Sequence, residues 1–252
     1  MIVLEVGINH FGSVLEAKNI LKFFLNSRYE YLSFMIQTEE FNKKYKNKLN
    51  FELPKSFYLE AIKQAKKKKK YIGLAVCDHK SYKRYTDINF NFYKLLGIAI
   101  NNKDLIDLLK NKKKTIFISL SKGSDTNISK CIKLFGSKKF LKLIYTNMSY
   151  DANDLDLSRI NYLKKKYKIP IGYGHHFNKD LPIHLSKIFG SEFLFIYIKH
   201  FHKKKKLYPD DKHAFFTKDL FKLENDINMA EILIKNKKKV STKIKINEKI
   251  KF

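Results

Sequence analysis

The sequence predicts an α/β fold, a closed (β/α)8 TIM barrel in a single domain, and three observations lead to it. Eight strand-like apolar segments recur along the chain, helical segments separate them, and no Pro-, Gly- or Ser-rich linker interrupts the series before Lys235. Strands that alternate with helices form parallel sheets, whose right-handed crossovers allow an open doubly wound sheet or a closed barrel. The count of eight favours the closed barrel. The predicted strands span residues 2–7, 31–37, 71–77, 90–98, 115–120, 140–146, 169–173 and 193–200.

Helical spacing of apolar residues accounts for the intervals between these strands. The first helix is predicted to begin at Ser13, because Glu16 follows three residues later as in a capping box. Further helices are predicted after Pro54, after Asn102, ahead of Gly136, behind Asp156 and from Thr217 to Ile234. Residues 1–236 therefore form the predicted barrel domain, and residues 237–252 form a short basic tail that suits an edge strand or a loose terminus.

The charge composition bears on whether the protein binds nucleic acid or an anionic substrate. Lysine and arginine outnumber the acids 52 to 24, which gives a net charge of +28. Only Arg28, Arg84 and Arg159 carry the guanidinium fork on which base and phosphate recognition usually depends. The lysine runs lie at separate helix ends and loops, which favours solvated faces over a nucleic-acid interface. A field this positive still attracts an anionic substrate toward a cleft.

The first residues and the cysteine count predict a cytoplasmic protein outside the membrane. The chain begins without signal-peptide features and contains no apolar run near the roughly eighteen residues that cross a bilayer. Cys77 and Cys131 are too few for a disulfide framework and are predicted to be reduced core thiols. The multi-glycine fingerprint of dinucleotide-binding folds and the phosphate-cradling GxxxxGK[ST] loop are both missing.

Two histidines close consecutive apolar segments of the predicted barrel. His176 ends residues 169–176 and His200 ends residues 193–200. Adjacent parallel strands lie about 4.8 Å apart, so two imidazoles at neighbouring strand ends can share one divalent ion. A single histidine at a strand end is more often satisfied by hydrogen bonds, so the residues alone leave both interpretations open. The pair predicts a candidate metal site at the barrel rim.

Short motifs at the predicted strand ends resemble those of sialic acid synthases, in the same order along nearly the whole chain. These enzymes condense phosphoenolpyruvate with N-acetylmannosamine or a related sugar. The matching segments are Glu5-Val6-Gly7-Ile8-Asn9-His10-Phe11-Gly12-Ser13, Gln37-Thr38, Tyr93-Lys94, Thr146-Asn147, Ile171-Gly172-Tyr173-Gly174-His175-His176, Lys199-His200-Phe201 and residues 207–215. Single pieces are weak signals, but their shared order is specific.

The resemblance implies a (β/α)8 barrel that binds a divalent ion, manganese or magnesium, through His176 and His200. It implies that Lys94 anchors phosphoenolpyruvate and that Glu5 orients or deprotonates the water that adds during the reaction. It further implies partners: phosphoenolpyruvate, an amino-sugar aldose and a second copy in a homodimer. Three more side chains are implied as hydrogen-bonding groups for substrate oxygens, namely Gln37, Asn147 and Asp211.

Two other histidines have weaker assignments. His10 either lines the pocket or shapes the turn after the first strand, and the sequence does not separate these roles. His213 is expected to fix a rim loop rather than to perform chemistry.

Several positions depart from the family pattern. Met35 stands where the family carries a lysine, and Ile198 stands where it carries a glutamate. Gly174-His175 replaces Ser-Asp, and Gly97-Ile98 replaces the Ser-Gly after the fourth-strand lysine. The chain is also expected to lack the family's small antifreeze-like domain. Two hypotheses therefore stay open: a divergent synthase, or a degenerate relative that binds metal and anion without condensation.

Overall fold

The computed structural model describes residues 1–38, 40, 41, 43, 51–121, 123–200 and 208–235. Eight parallel strands pair in sequence order, and β1 also pairs with β8, so the sheet closes into a single-domain (β/α)8 barrel as predicted. The strands are β1 Ile2–Gly7, β2 Tyr31–Met35, β3 Tyr71–Val76, β4 Phe92–Leu95, β5 Thr115–Ser119, β6 Leu141–Thr146, β7 Ile171–Gly174 and β8 Leu194–Lys199. A short β9, Phe215–Phe216, extends the sheet beside the end of β8.

The α-helices surround this cylinder. They are α1 Val14–Asn26, α2 Lys55–Lys67, α3 His79–Lys83, α4 Lys103–Lys110, α5 Asp125–Phe135, α6 Ser158–Tyr167, α7 Leu181–Ile188 and α8 Leu220–Lys235. The predicted start of α1 is confirmed, because the Ser13 hydroxyl accepts from the Glu16 amide at 3.3 Å. The periodicity did not predict α3, which has only five residues, and it did not predict α7. The predicted tail at residues 237–252 lies outside the described residues.

Two separate apolar cores follow from the alternation of side chains along each strand. The larger core fills the layer between the strands and the helices, and it includes outward-facing residues such as Leu4, Ile196 and Ile198. The smaller core fills the inside of the barrel. Its members are Val3, Phe92, Phe117, Ile144, Phe193 and Phe195.

Aromatic rings close the lower part of the barrel interior. The Phe117 ring lies with its centroid 5.2 Å from that of Phe193 and 5.0 Å from that of Phe195, in edge-to-face arrangements. Gly73 and Gly172 leave the room that these rings need. A Cβ atom at Gly73 would lie 2.1 Å from Phe92 Cε2, and one at Gly172 would lie 2.2 Å from Phe193 Cε2. The lower barrel is therefore a packed plug, and the active-site end of a TIM barrel lies above it.

Both cysteines are buried free thiols, as the sequence predicted. Burial raises the pKa of Cys77 and of Cys131 to about 12, so neither is a thiolate at neutral pH. Within the described part of the chain, no helix combines the length and the apolar character that crossing a bilayer requires.

Candidate active site

Polar side chains replace the plug at the carboxyl end of the barrel, two residues further along the same strands. Glu5 follows Val3 on β1, Lys94 follows Phe92 on β4, and Tyr197 extends the row of rings on β8. Residues two apart on a strand face the same side, so all of these side chains point into the cylinder. Active sites of TIM barrels lie at this end.

Glu5 and Lys94 form a buried ion pair at the centre of the mouth. Lys94 Nζ lies 3.1 Å from Glu5 Oε2, and the two side chains, lysine first, are 3% and 1% exposed. The ammonium also lies over two rings, 4.8 Å from the Phe195 centroid and 5.2 Å from the Tyr197 centroid. Burying both charges is costly, so such a pair is weak evidence of a purely stabilising role. It is a buried cation at the end of the barrel where TIM-barrel active sites lie.

Asp210 reaches into the same mouth from the segment after β8. A Cβ atom on Gly7 would lie 2.7 Å from Asp210 Oδ2, so the carboxylate rests directly against the end of β1. The Asp210 amide donates to Asn9 Oδ1 at 3.2 Å, and Asn9 Nδ2 donates to the Ile198 carbonyl at 3.0 Å. Burial, and next the charge of Glu5, raise the pKa of Asp210 to about 7. The first-strand motif thus anchors the segment that covers the site.

His176 stands over Tyr197 at the rim. Its ring centroid lies 4.7 Å from that of Tyr197 and 4.4 Å from that of His213. Burial is the main cause that lowers the pKa of His176 well below its ordinary value, and His213 and Lys94 add to it. Burial first, and then the charges of Lys94 and Lys199, lower the pKa of His213 to about 4. Both imidazoles are therefore neutral near pH 7 and keep a lone pair for a ligand.

His200, the second predicted metal ligand, contacts Thr217 and Tyr208. His200 Nδ1 lies 3.5 Å from Thr217 Oγ1, and the His200 carbonyl accepts from the Tyr208 hydroxyl. His176 is thus brought together with His213, whereas His200 lies beside Thr217, just ahead of α8. Within the described residues, no three His, Cys, Asp or Glu side chains already surround one point in coordinating positions. The role of His200 as a metal ligand stays a prediction from the family resemblance.

The three predicted substrate-binding residues lie near the barrel mouth, and two of them already have partners within the protein. Gln37 is half-buried just beyond the end of β2. The Asn147 amide is engaged by its own loop, since it donates to the Asp154 carbonyl and accepts from the Ser149 amide. Asp211 Oδ1 pairs with Lys199 Nζ at 2.8 Å. Of the two adjacent aspartates, Asp210 is the one that faces Glu5 and Lys94.

His10 is fully buried in the turn after β1. Its Nδ1 atom accepts from the Gly12 amide at 3.0 Å, and burial lowers the His10 pKa to about 3. Of the two roles that the sequence left open, this contact favours shaping the turn.

At two positions that depart from the family pattern, a neighbouring side chain occupies the place inside the barrel. Ile198 belongs to the core outside the strands, and Tyr197 occupies the inward position on β8 instead. A Cβ atom on Gly174 would lie 2.4 Å from Thr146 Oγ1, so the threonine hydroxyl on β6 already fills the space that a serine at Gly174 needs. The mouth therefore keeps a hydroxyl near β7, supplied by the neighbouring strand.

The functional residues that sequence reasoning missed are Tyr197 and Asp210. Period-two alternation from Phe193 and Phe195 would have placed Tyr197 inside the barrel. Nothing in the sequence distinguishes Asp210 from Asp211, because the turn between β8 and β9 decides which carboxylate points inward.

Comparison with known proteins identifies the family of the chain. The family model described as NeuB family matches residues 20–239. The chain belongs to the NeuB family. No curated protein sequence matches it.

Solved structures show that the NeuB-family chain shares its fold with biosynthetic proteins of bacteria. N-acetylneuraminic acid (sialic acid) synthetase from Leptospira borgpetersenii serovar Hardjo-bovis, solved with citrate, has a TM-score of 0.82 and 22% identity, over 92% of this chain and 84% of that chain. A putative spore coat polysaccharide biosynthesis protein E from Chromobacterium violaceum has a TM-score of 0.80 and 13% identity, over 95% and 77%. A spore coat polysaccharide biosynthesis protein from Bacillus subtilis has a TM-score of 0.78 and 16% identity, over 94% and 69%.

Proposed function

We propose that this chain is a sialic acid synthase-like enzyme that condenses phosphoenolpyruvate with N-acetylmannosamine or a related amino-sugar aldose. The observation that carries the proposal is the Lys94–Glu5 pair, buried at the mouth of the barrel below His176. Family membership and the likeness to a sialic acid synthetase support the same reaction class.

The proposed reaction forms one carbon–carbon bond and breaks one carbon–oxygen bond. C3 of phosphoenolpyruvate attacks the aldehyde carbon of the sugar, whose oxygen takes up a proton. Water adds to C2 and loses a proton, and phosphate leaves as the C2–O bond breaks. The products are a nonulosonic acid and phosphate.

Lys94 is the proposed anchor for phosphoenolpyruvate, because its ammonium is already desolvated and needs no reorganisation to meet an anion. A phosphate or carboxylate that enters the mouth competes with Glu5 for Lys94. Glu5, freed from this pair, is the proposed acceptor for the proton of the attacking water. Gln37 and Thr146, near the ends of their strands, are the side chains that we expect to hydrogen-bond substrate oxygens.

A divalent cation fits the donor chemistry of the rim, where the neutral His176 imidazole and unpartnered polar atoms of the 208–216 segment meet. When bound, such an ion polarises the sugar aldehyde as a Lewis acid. Phosphoenolpyruvate and manganese or magnesium are thus parts of the proposal.

The test is phosphate release from phosphoenolpyruvate by the purified protein with Mn²⁺ and a panel of aldoses, N-acetylmannosamine first. Release that depends on the sugar supports the proposal. Lys94→Met should abolish it. Lys142→Met is the matched control, because Lys142 lies over the Phe117 and Phe193 rings at the opposite end of the barrel. No sugar-dependent release with any aldose of the panel contradicts the proposal.

A second candidate is a barrel that binds metal and anion without turnover. The observation that favours it is the loss of two charged groups, since Met35 and Ile198 replace a lysine and a glutamate of the family pattern. Each lost group costs several kcal/mol of transition-state stabilisation, or orders of magnitude in rate. Thermal stabilisation by phosphoenolpyruvate without phosphate release identifies this candidate.

A further inference from the structure

A cavity of about 250 Å³ lies at the amino end of the barrel, on the side of the aromatic plug that faces away from the mouth. Thr115 and Lys142 border it, and they come two residues before Phe117 and Ile144 of the inner core. Residues two apart on a strand face the same side, so both side chains point into the cylinder. The amino end of the barrel is therefore open below the plug. We call this space the amino-end cavity.

Aromatic rings form much of the wall of the amino-end cavity. The Tyr31 and Tyr71 rings are stacked, with centroids 4.9 Å apart and planes inclined by 22°. Tyr31 meets Phe92 edge to face at 5.9 Å, and Phe92 meets Phe117 in the same way at 5.6 Å. Tyr71 is 40% exposed, so this aromatic surface reaches solvent. A flat apolar group that enters from solvent can pack against these rings.

The Lys142 ammonium stands at this cavity without an acidic partner. Its Nζ atom lies 5.5 Å from the Phe117 centroid and 5.7 Å from the Phe193 centroid. The charge of Glu192 reaches Lys142, but Glu192 Oε1 is paired with Lys164 Nζ at 2.8 Å. Burial lowers the pKa of Lys142, and Glu192 offsets part of this effect. Among the described residues, no carboxylate forms an ion pair with Lys142.

The two lysines inside the barrel differ in this respect. Lys94 lies over the Phe195 ring on the mouth side of the plug and has Glu5 as its counter-charge at 3.1 Å. Lys142 lies over rings on the other side of the plug, and the described part of the protein supplies it with no such group. A partly desolvated ammonium is stabilised by a partner of opposite charge. At the amino end, an anion from solution can supply that charge.

The size and polarity of the cavity narrow the class of anion. Its volume is below the range of about 300–1,000 Å³ that is typical of sites for drug-sized ligands. A single ammonium balances a single negative charge, and the Thr115 hydroxyl on the same wall can donate one further hydrogen bond. The rest of the described wall is mainly aromatic. These properties favour a small monocarboxylate with a flat ring over a phosphate dianion.

We propose that the amino-end cavity binds a small aromatic monocarboxylate, with the carboxylate on Lys142 and the ring against Tyr31, Tyr71 and Phe92. This site is separate from the mouth, because the plug lies between them. The inference does not rest on the proposed function, and its test needs no turnover.

The experiment measures benzoate binding to the full chain by ligand-observed nuclear magnetic resonance. A dissociation constant of about 1 mM is expected for a ligand this small. Three further probes each remove one feature: cyclohexanecarboxylate lacks the flat ring, benzyl alcohol lacks the charge, and inorganic phosphate lacks the apolar body. Each should bind at least about fivefold more weakly than benzoate. Benzoate binding should persist with saturating phosphoenolpyruvate, which is proposed to occupy the mouth.

Four variants locate the site. Lys142→Met should raise the benzoate dissociation constant by about tenfold or more, whereas Lys142→Arg keeps the charge and should stay within about threefold. Tyr71→Leu should raise the constant by about fivefold, because one ring of the stack is lost. Lys139→Met is the matched control, since Lys139 is exposed and lies over the Phe140 ring just ahead of β6. It should bind benzoate as the wild type does.

Melting temperatures separate loss of binding from loss of folding. Lys142→Met should melt at or above the wild-type temperature, because it removes a charge that lacks a partner among the described residues. If it melts early, Lys142→Arg and Tyr71→Leu carry the test. Absence of benzoate binding by the wild type overturns the inference, as does an unchanged constant in Lys142→Met or in Tyr71→Leu. Phosphate binding as tight as that of benzoate, or displacement of benzoate by phosphoenolpyruvate, overturns it as well.

Discussion

The lower and upper layers of the barrel interior are built from the same strands and differ in nearly every property. Val3, Phe92 and Phe195 belong to the lower layer, and Glu5, Lys94 and Tyr197 follow two residues later. A rise of about 6.6 Å along each strand therefore changes a dry aromatic plug into a charged mouth. The comparison teaches that the plug stabilises the barrel and forms an apolar, low-dielectric layer. Charges next to this layer interact more strongly with a charged ligand than they would in water.

The largest expected effect comes from removing one partner of the buried ion pair. Lys94→Met leaves the Glu5 carboxylate uncompensated and should lower the free energy of unfolding by about 3–5 kcal/mol. The double variant Glu5→Gln with Lys94→Met should regain most of that loss while remaining inactive. Urea unfolding of both variants measures the difference. A single variant as stable as the wild type would mean that water already solvates the pair.

An effect of similar size, but on stability alone, is expected in the plug. Phe117→Ala removes a ring that contacts Phe92, Phe193 and Phe195, and should cost about 3–5 kcal/mol. Because the mouth lies above, Mn²⁺ affinity should stay within about threefold of the wild type. Urea unfolding measures the loss of stability, and Mn²⁺ titration measures the affinity. A large loss of affinity would show that the layers are coupled.

The next effect depends on pH and concerns His10, which lies beside the mouth without facing the ion pair. Its folded-state pKa is about 3 because of burial, whereas the unfolded chain binds a proton near pH 6.5. Stability is therefore complete above the unfolded pKa and falls by about 1.4 kcal/mol per unit as the pH drops from 6.5 toward 3. His10→Asn keeps an acceptor for the Gly12 amide. Because asparagine does not titrate, the free energy of unfolding of this variant should fall less steeply with decreasing pH, by the contribution of one proton. Equal slopes for the two proteins would contradict the assignment.

The smallest expected effect tests how the mouth tolerates the family pattern. Gly174→Ser should collide with the Thr146 hydroxyl and destabilise the protein by about 1–3 kcal/mol. Adding Thr146→Ala should relieve the closer collision and restore a single hydroxyl at this place, whereas the 2.9 Å contact of the new Cβ atom with Ile144 Cγ2 remains, so the recovery should be partial. Thermal melts of the single and double variants measure the relief. A single variant with wild-type stability would show that Thr146 can rotate away freely.

The sequence predicted the eight strands and the first helix because local patterns determine them. Apolar runs bounded by turn residues mark the strands, and Ser13 with Glu16 marks the start of α1. The helix α3 was not predicted, because five residues give too little periodicity, and α7 was not predicted either. The family resemblance, carried by ordered motifs, is confirmed by the family match.

The candidate site was only partly predictable. Glu5 and Lys94 stood out as charges within apolar strands, and buried charges need partners. That they are each other's partner required the closed barrel, since 89 residues separate them. The position of His176 followed from its strand, but its neighbour His213 comes from a turn whose direction no local pattern specifies.

The sequence by itself determined the barrel and the identity of the charged residues, because apolar runs of strand length alternate with helical spacing and a charge within such a run stands out. Only the tertiary structure decided which groups meet. The Asp210 amide donates to Asn9, which follows β1. Asp210 lies beside the Lys94–Glu5 pair while Asp211 pairs with Lys199, and His213 lies beside His176. The physical reason is that long-range closure, and not local propensity, sets distances between residues far apart in the chain.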